Sequence, residues 1–248
     1  MAFNLARLLP AIGSLSPNNI IQSFAPAIWY DATRGLYTTA AGSTAAVNDG
    51  DPVGRWEDQS GNGRNLTQVT ISSPDRRPTL KLSIYNSRNT VRFDGTDDAI
   101  ISAFDSSGGL ATCTVYLVCT RTAAVARIVG EAAWRGTMFT VSATVFGLGE
   151  SSDPDGNSYR YTITDPGVGL HLFINRSKQA LIVDSTTYTS KSNLSDGFTN
   201  TVLHVGARNQ ADSFFNGDIC EIVVYSGVHD AATAAIVAAA LKTKWGTP

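Results

Sequence analysis

The side chains able to move a proton or hold a metal are the acids and three histidines, and their spacing decides which chemistry is open to them. Glycoside hydrolysis with retention needs two carboxyls about 5.5 Å apart, hence two acids on one face of a strand or on facing strands. No strand-like segment carries acids at alternate positions. The nearest approach is Asp218-Ile219-Cys220-Glu221, whose acids stand three residues apart and fall on opposite faces of a regular strand. His171 and His204 sit among apolar residues, His229 stands before a helix start, and no pair has zinc-ligand spacing. No serine occupies a strand–turn–helix elbow, and no glycine-rich loop is built to cradle phosphate. The residues therefore predict a protein without a catalytic constellation.

Oxygen-rich turns give two calcium candidates. Asp153-Pro154-Asp155-Gly156-Asn157 presents Asp153, Asp155 and Asn157 at alternate positions, like the start of a calcium loop. Ser158 and Thr164 then stand where that loop needs a glycine and a glutamate, so the simple β-turn is favoured. Asp94, Asp97 and Asp98 form the second cluster. No other cofactor is implied. Glycan recognition needs exposed aromatics beside polar loops; Trp134 with Arg135, Tyr159 with Tyr161 on one strand face, and Tyr188 are the candidates. Cys113, Cys119 and Cys220 are odd in number and unpaired in spacing, which suits small buried hydrophobes, with one internal disulfide as the alternative.

Composition narrows the partners. Charged residues make up 16% and the formal net charge is -2, with no dense Lys/Arg stripe, so nucleic acid is not an expected partner. No stretch reaches the roughly 18 apolar residues of a membrane span, which excludes insertion as a helix. The opening Met1-Ala2-Phe3-Asn4-Leu5-Ala6-Arg7-Leu8-Leu9-Pro10 lacks a basic segment ahead of its apolar residues and reads as part of the mature chain. Residues 1–26 carry Leu8, Leu9, Ile12, Ile20, Ile21 and Phe24 between prolines and a glycine. Such side chains are costly in water, so this arm is expected to lie against something, with a neighbouring copy favoured over the parent domain.

The elements that must hold these residues follow from periodicity. Ala27–Tyr30 reads as a first strand. Residues 31–90, rich in Gly, Ser, Thr, Asp and Asn, are expected to be mostly loop with short strands. From Thr90 to Tyr225 short strands follow one another, among them Thr112–Thr120, with Cys113, Val115, Leu117 and Cys119 on one face. The period changes at the end. Asp230 caps an alanine-rich segment closed by Trp245 and Gly246, which predicts a helix over 230–245 with Val237, Leu241 and Trp245 on one stripe. The expectation is an all-β, two-sheet antiparallel sandwich over 27–248, including this helix, preceded by an extended arm over 1–26.

Three segments carry a resemblance: Ile28-Trp29-Tyr30-Asp31-Ala32 with Val53-Gly54-Arg55-Trp56-Glu57-Asp58-Gln59-Ser60-Gly61-Asn62-Gly63-Arg64-Asn65-Leu66; Val91-Arg92-Phe93-Asp94-Gly95-Thr96-Asp97-Asp98-Ala99-Ile100; and Phe215 to Tyr225 running into Lys244-Trp245-Gly246. In this order they resemble the concanavalin A-like lectin/glucanase superfamily, in particular the laminin-G-like domains of bacteriophage and bacterial surface proteins. The resemblance implies a jelly-roll. Retaining glycanases of the superfamily carry a Glu-x-Asp-x-x-Glu strand or one close to it, which this chain lacks. Together with the apolar arm, the resemblance implies a non-enzymatic virion structural protein: a capsid decoration, head-fibre or tail-associated subunit. Its expected partners are other virion proteins and copies of itself, as a homo-oligomer. A carbohydrate-binding module for host surface glycans is the alternative.

Overall fold

The computed structural model describes residues 15–68, 76–103, 110, 112–120, 126–131, 138–142, 145–148, 160–163, 166–167, 169–176, 180–189, 202–207 and 213–248. Its strands form two antiparallel sheets, numbered here along the chain. The first has eight strands, in the order β15 (Thr186–Thr189), β14 (Ala180–Val183), β13 (Leu170–Arg176), β8 (Cys113–Thr120), β17 (Asn216–Ser226), β6 (Arg88–Asp94) and β5 (Thr79–Tyr85), with β1 (Ile28–Asp31) also paired to β17. The second has nine: β12 (Arg160–Thr162), β11 (Val145–Leu148), β10 (Met138–Ser142), β9 (Ala126–Glu131), β16 (Val202–Val205), β7 (Ile100–Ala103), β4 (Leu66–Gln68), β3 (Arg55–Trp56) and β2 (Leu36–Tyr37). The all-β sandwich expected from the sequence is the fold.

Between the sheets lies the core, where Tyr30 of β1 meets Trp56 of β3 with ring centroids 5.9 Å apart. Phe93 of β6 meets Phe215 at 6.0 Å. Alternation sends Val115, Leu117 and Cys119 of β8 inward and Thr114, Tyr116 and Val118 outward. Yet both faces of β8 are buried through Val118 and Cys119. The outer face is covered by α1 (Pro17–Ser23) and α2 (Ala231–Trp245), which pack on each other and on the first sheet.

The predicted closing helix is α2. The Asp230 side chain accepts the Thr233 N–H at 2.7 Å. Gly246 ends the helix in the left-handed region at φ 72°, and its N–H reaches the Lys242 carbonyl. The orphan carbonyl of Lys244 accepts Asn86 Nδ2 at 2.9 Å and Arg88 Nε at 2.8 Å from the β5–β6 turn, so that hairpin serves as a second C-cap.

One expectation holds and one shifts. The stretch 31–90 is, over its described residues, mostly loop with short strands, β2 to β5 and the start of β6, the longest being the seven-residue β5. The burial pattern of β5 does not alternate, and Ser83 within it takes a positive φ of 56°. The arm expected over 1–26 does not extend in its second half. Ser16 caps α1, with the Asn19 N–H donating to its Oγ at 3.3 Å and Pro17 opening the helix. Ile20 and Ile21 of α1 are buried within the chain, Phe24 is half-buried, and Tyr225 donates its hydroxyl to the Ile21 carbonyl. Ile21 is therefore committed within the chain, whereas Phe24 stays partly exposed and Ile20 lines a groove; Leu8, Leu9 and Ile12 lie outside the described residues.

Candidate functional site

The acids of β17 do not behave as a regular strand dictates. In the β8–β17 ladder Ile219 faces Cys119, and the next pairing joins Glu221 to Val118, so Cys220 is an inserted residue. Cys119 and Val118 point to opposite faces, and so must Ile219 and Glu221. The β-bulge therefore puts Asp218 and Glu221 on the same, outer face, against the parity argument from sequence. The bulge falls where β17 changes partner, from β6 over Asn216–Ile219 to β1 over Glu221–Val224.

The β1 partner of Glu221 is Asp31, directly opposite on the same face. The Lys244 ammonium stands between them, with Nζ 2.8 Å from Asp31 Oδ2 and 2.9 Å from Glu221 Oε2. Trp29 Nε1 donates to Glu221 Oε1 at 2.6 Å, and Trp245 Nε1 donates to the other oxygen. Thr33 donates its N–H and hydroxyl to Asp31 Oδ1, and Arg34 Nε lies 3.0 Å from Oδ2. Both carboxylates are 0% exposed and Lys244 is 2% exposed.

Electrostatics separates the two acids. Burial works against the Asp31 carboxylate, but Lys244 and the Thr33 donors outweigh it and hold its pKa below the ordinary range. At Glu221 burial dominates and the neighbouring charge of Asp31 adds to it. Its pKa is raised, although Lys244 and the Trp245 indole pull the other way. A facing carboxylate pair with one raised pKa has the outline of an acid/base pair. It lacks the opening such chemistry requires, because α2 seals it.

A second constellation faces inward. His171 Nδ1 lies 2.8 Å from Asp184 Oδ2, and Cys119 is the register partner of His171 on β8. The thiol is 0% exposed and burial pushes its pKa up, so it remains a protonated core side chain. All three cysteines are buried and none is in a disulfide.

Of the calcium candidates, Asp94, Asp97 and Asp98 do converge, with one carboxylate oxygen from each lying within 4.8 Å of the others. The group is an internally bonded turn. Asp98 Oδ2 accepts the Asp94 N–H at 2.8 Å, and Asp94 Oδ1 accepts the Thr96 N–H at 2.7 Å. Asp153, Asp155 and Asn157 lie outside the described residues, as do Trp134, Arg135 and Tyr159. Tyr161 is in β12, opposite Phe146 of β11.

The Trp56-to-Leu66 motif is a clasp. Asp58 Oδ1 accepts the N–H groups of Trp29 and Ser60, and Oδ2 accepts the Ser60 hydroxyl and the Arg64 N–H. Asn62 Nδ2 and an Arg64 guanidinium nitrogen each reach the Ala27 carbonyl at 3.0 Å. The loop thereby fixes the entry of β1.

Concave places among the described residues include two that bear on ligands. A cavity of about 170 Å³ beside the clasp is lined in part by Thr33, Arg34, Tyr37 and Asn89, and the Arg34 guanidinium lies over the Trp29 ring at 4.5 Å. An apolar groove of about 300 Å³ runs between α1 and α2. Sequence reading missed both, and it missed Lys244 as a buried group. The signal for Lys244 was present, since it lies three residues after Leu241 and seven after Val237, on the stripe that faces the sheet.

Comparison with solved structures bears on the fold. The chain is similar to a GH54 α-L-arabinofuranosidase soaked with a cyclic sulfate inhibitor (TM-score 0.59, 14% identity, covering 91% of this chain and 65% of that one). It is also similar to domain 4 of AbnA, a GH43 extracellular arabinanase from Geobacillus stearothermophilus in complex with arabinotriose (TM-score 0.53, 16% identity, 73% and 92%). The receptor-binding domain of botulinum neurotoxin type G is a third (TM-score 0.56, 10% identity, 90% and 54%). The fold is a jelly-roll β-sandwich. This chain spans less than two thirds of the arabinofuranosidase and about half of the neurotoxin domain. No family model and no curated protein matches the sequence. The sandwich is thus shared by glycoside hydrolases and a receptor-binding domain, and at these identities the likeness is one of fold alone.

Proposed function

We propose that this chain is a non-catalytic structural subunit of a bacteriophage particle, a capsid decoration, head-fibre or tail-associated protein, attached through the residues that precede Leu15. The observation that carries the non-catalytic part is the sealed Asp31–Lys244–Glu221 cluster: the facing carboxylates lie under a helix and hold a lysine. The resemblance of the three motif segments supports the particle assignment, and each does framework work here. The Asp58 clasp fixes β1, the Asp94–Asp98 turn ends β6, and β17 joins sheet to helix. Attachment is tested by sedimenting particle shells with the full chain and with its L8S/L9S/I12S variant. Co-sedimentation of the first and loss of the second supports the reading; equal behaviour of both removes it.

A glycan-binding module is the second reading. The cavity beside Arg34 and Tyr37 favours it, because it pairs an aromatic with polar side chains, the combination sugars require. Domain 4 of the arabinanase, which shares the fold, is in complex with arabinotriose. Calorimetric titration with arabinotriose and with a panel of host surface glycans, with and without calcium, is the test. Absence of heat in every case ends this alternative.

A further inference from the structure

The Asp31–Lys244–Glu221 cluster is closed to any substrate from outside, yet it holds a complete set of reactants of its own. An amine and two carboxyls meet where water is excluded. Lys244 Nζ lies 2.8 Å from Asp31 Oδ2 and 2.9 Å from Glu221 Oε2, and none of the three residues is more than 2% exposed. The Trp245 and Trp29 rings wall the amine in, their centres 5.3 Å and 5.9 Å from Nζ. Reacting groups held in this way behave as if at concentrations far above any reached in solution. Excluding water also keeps away the molecule that would reverse an amide bond.

The two acids are not equivalent. Against its burial, Lys244 and the Thr33 donors hold Asp31 as a carboxylate, and Arg34 Nε lies 3.0 Å from it. A carboxylate resists attack by an amine. Glu221 is pushed by burial toward its neutral acid, which does not. The indole N–H groups of Trp29 and Trp245 donate to its two oxygens, where negative charge would grow in a tetrahedral intermediate. Glu221 is thus placed as acyl donor and Asp31 as proton acceptor.

We propose that Lys244 Nζ and Glu221 Cδ condense to an amide bond within the chain, fastening α2 covalently to β17. The lysine ammonium gives one proton to Asp31 Oδ2, and its nitrogen attacks Cδ of the protonated Glu221. The carbonyl electron pair moves onto an oxygen that accepts an indole N–H. The nitrogen then sheds a second proton, which Asp31 relays to the Glu221 hydroxyl. The C–O bond breaks, the carbonyl re-forms and one water leaves. Asp31 ends protonated, so a buried ion pair gives way to neutral groups, with no oxidant or cofactor consumed. The event occurs once per chain and is independent of the particle and glycan readings.

Tryptic digestion of the unfolded full chain, read by tandem mass spectrometry, is the test. Trypsin cleaves after lysine and arginine, but not after a lysine whose amine is acylated. Residues 243–248 are expected to stay in one piece, joined to peptide 209–242, which carries Glu221. The joined pair should weigh one water less than its two parts. Cleavage after Lys244 with no joined pair would overturn the proposal. A link from Lys244 to peptide 8–34, which carries Asp31, would overturn the roles given to the two acids. Asp31→Asn keeps the shape but removes the proton acceptor, and the linked fraction should fall at least severalfold. An unchanged fraction would remove Asp31 from the reaction, and the digest of the parent decides the bond whether or not this variant folds.

Discussion

Asp31 and Glu221 face each other across the β1–β17 ladder and share one lysine, Lys244, donated by the helix that covers them. A lone buried ion is very costly, whereas a paired one with its remaining lone pairs satisfied is tolerated. Here Thr33 and the indoles of Trp29 and Trp245 fill the remaining positions. Three separate parts of the chain, β1, β17 and α2, must therefore be in place together.

Removing the cation should show this. Lys244→Met is expected to destabilise the chain by about 3–5 kcal/mol, because it leaves facing carboxylates without a counter-ion. Adding Asp31→Asn and Glu221→Gln should recover a large part of that loss. Denaturant unfolding of the single and triple variants checks it, and a triple variant no more stable than the single would argue against the cluster.

The clasp predicts a second loss. Asp58→Ala strips acceptors from the N–H groups of Trp29, Ser60 and Arg64, one of which is buried with β1. The expected cost is about 2–3 kcal/mol, since a buried donor left unsatisfied costs about 1–3 kcal/mol and the others reach solvent more easily. Asp58→Asn, which keeps the shape and one acceptor, should lose clearly less in thermal denaturation.

Packing against a glycine gives the third. Gly206 has φ 91°, and a Cβ placed there would stand 2.3 Å from the Phe93 ring, itself packed on Phe215. Gly206→Ala should cost roughly 1–3 kcal/mol or more, combining overpacking with a strained backbone. The substitution Gly61→Ala, where φ is also positive but nothing lies within 4 Å, isolates the backbone part. Equal melting temperatures for the two variants would contradict the packing argument.

Acid should weaken the outer layer through His229. Its Nδ1 lies 2.8 Å from the Tyr116 hydroxyl, and its ring is 4.4 Å from that of Tyr225. Burial lowers its pKa from 6.5 to about 4. The unfolded chain then binds the proton more readily, so stability contributed by the neutral ring is complete above about pH 6.5 and is lost as pH falls toward 4. His204, also lowered by burial, acts in the same direction. Melting temperature measured across this range should fall with pH, and His229→Gln should flatten part of the slope.

What the sequence alone determined is whatever local chemistry fixes. Alternating apolar residues mark β8, Asp230 and Gly246 bound α2, and the run of short strands specifies a sandwich, since each signal lies within a few residues. The tertiary structure decided the rest. One inserted residue at Cys220 reverses the facing of Asp218 relative to Glu221, and a bulge depends on which strands flank it. Lys244 lies on the buried stripe of α2, but a lysine can be buried there only if acids from β1 and β17, 213 and 23 positions away in sequence, arrive to meet it. That meeting turned two acids distant along the chain into a closed pair, and so sealed the outer face of the first sheet under α2.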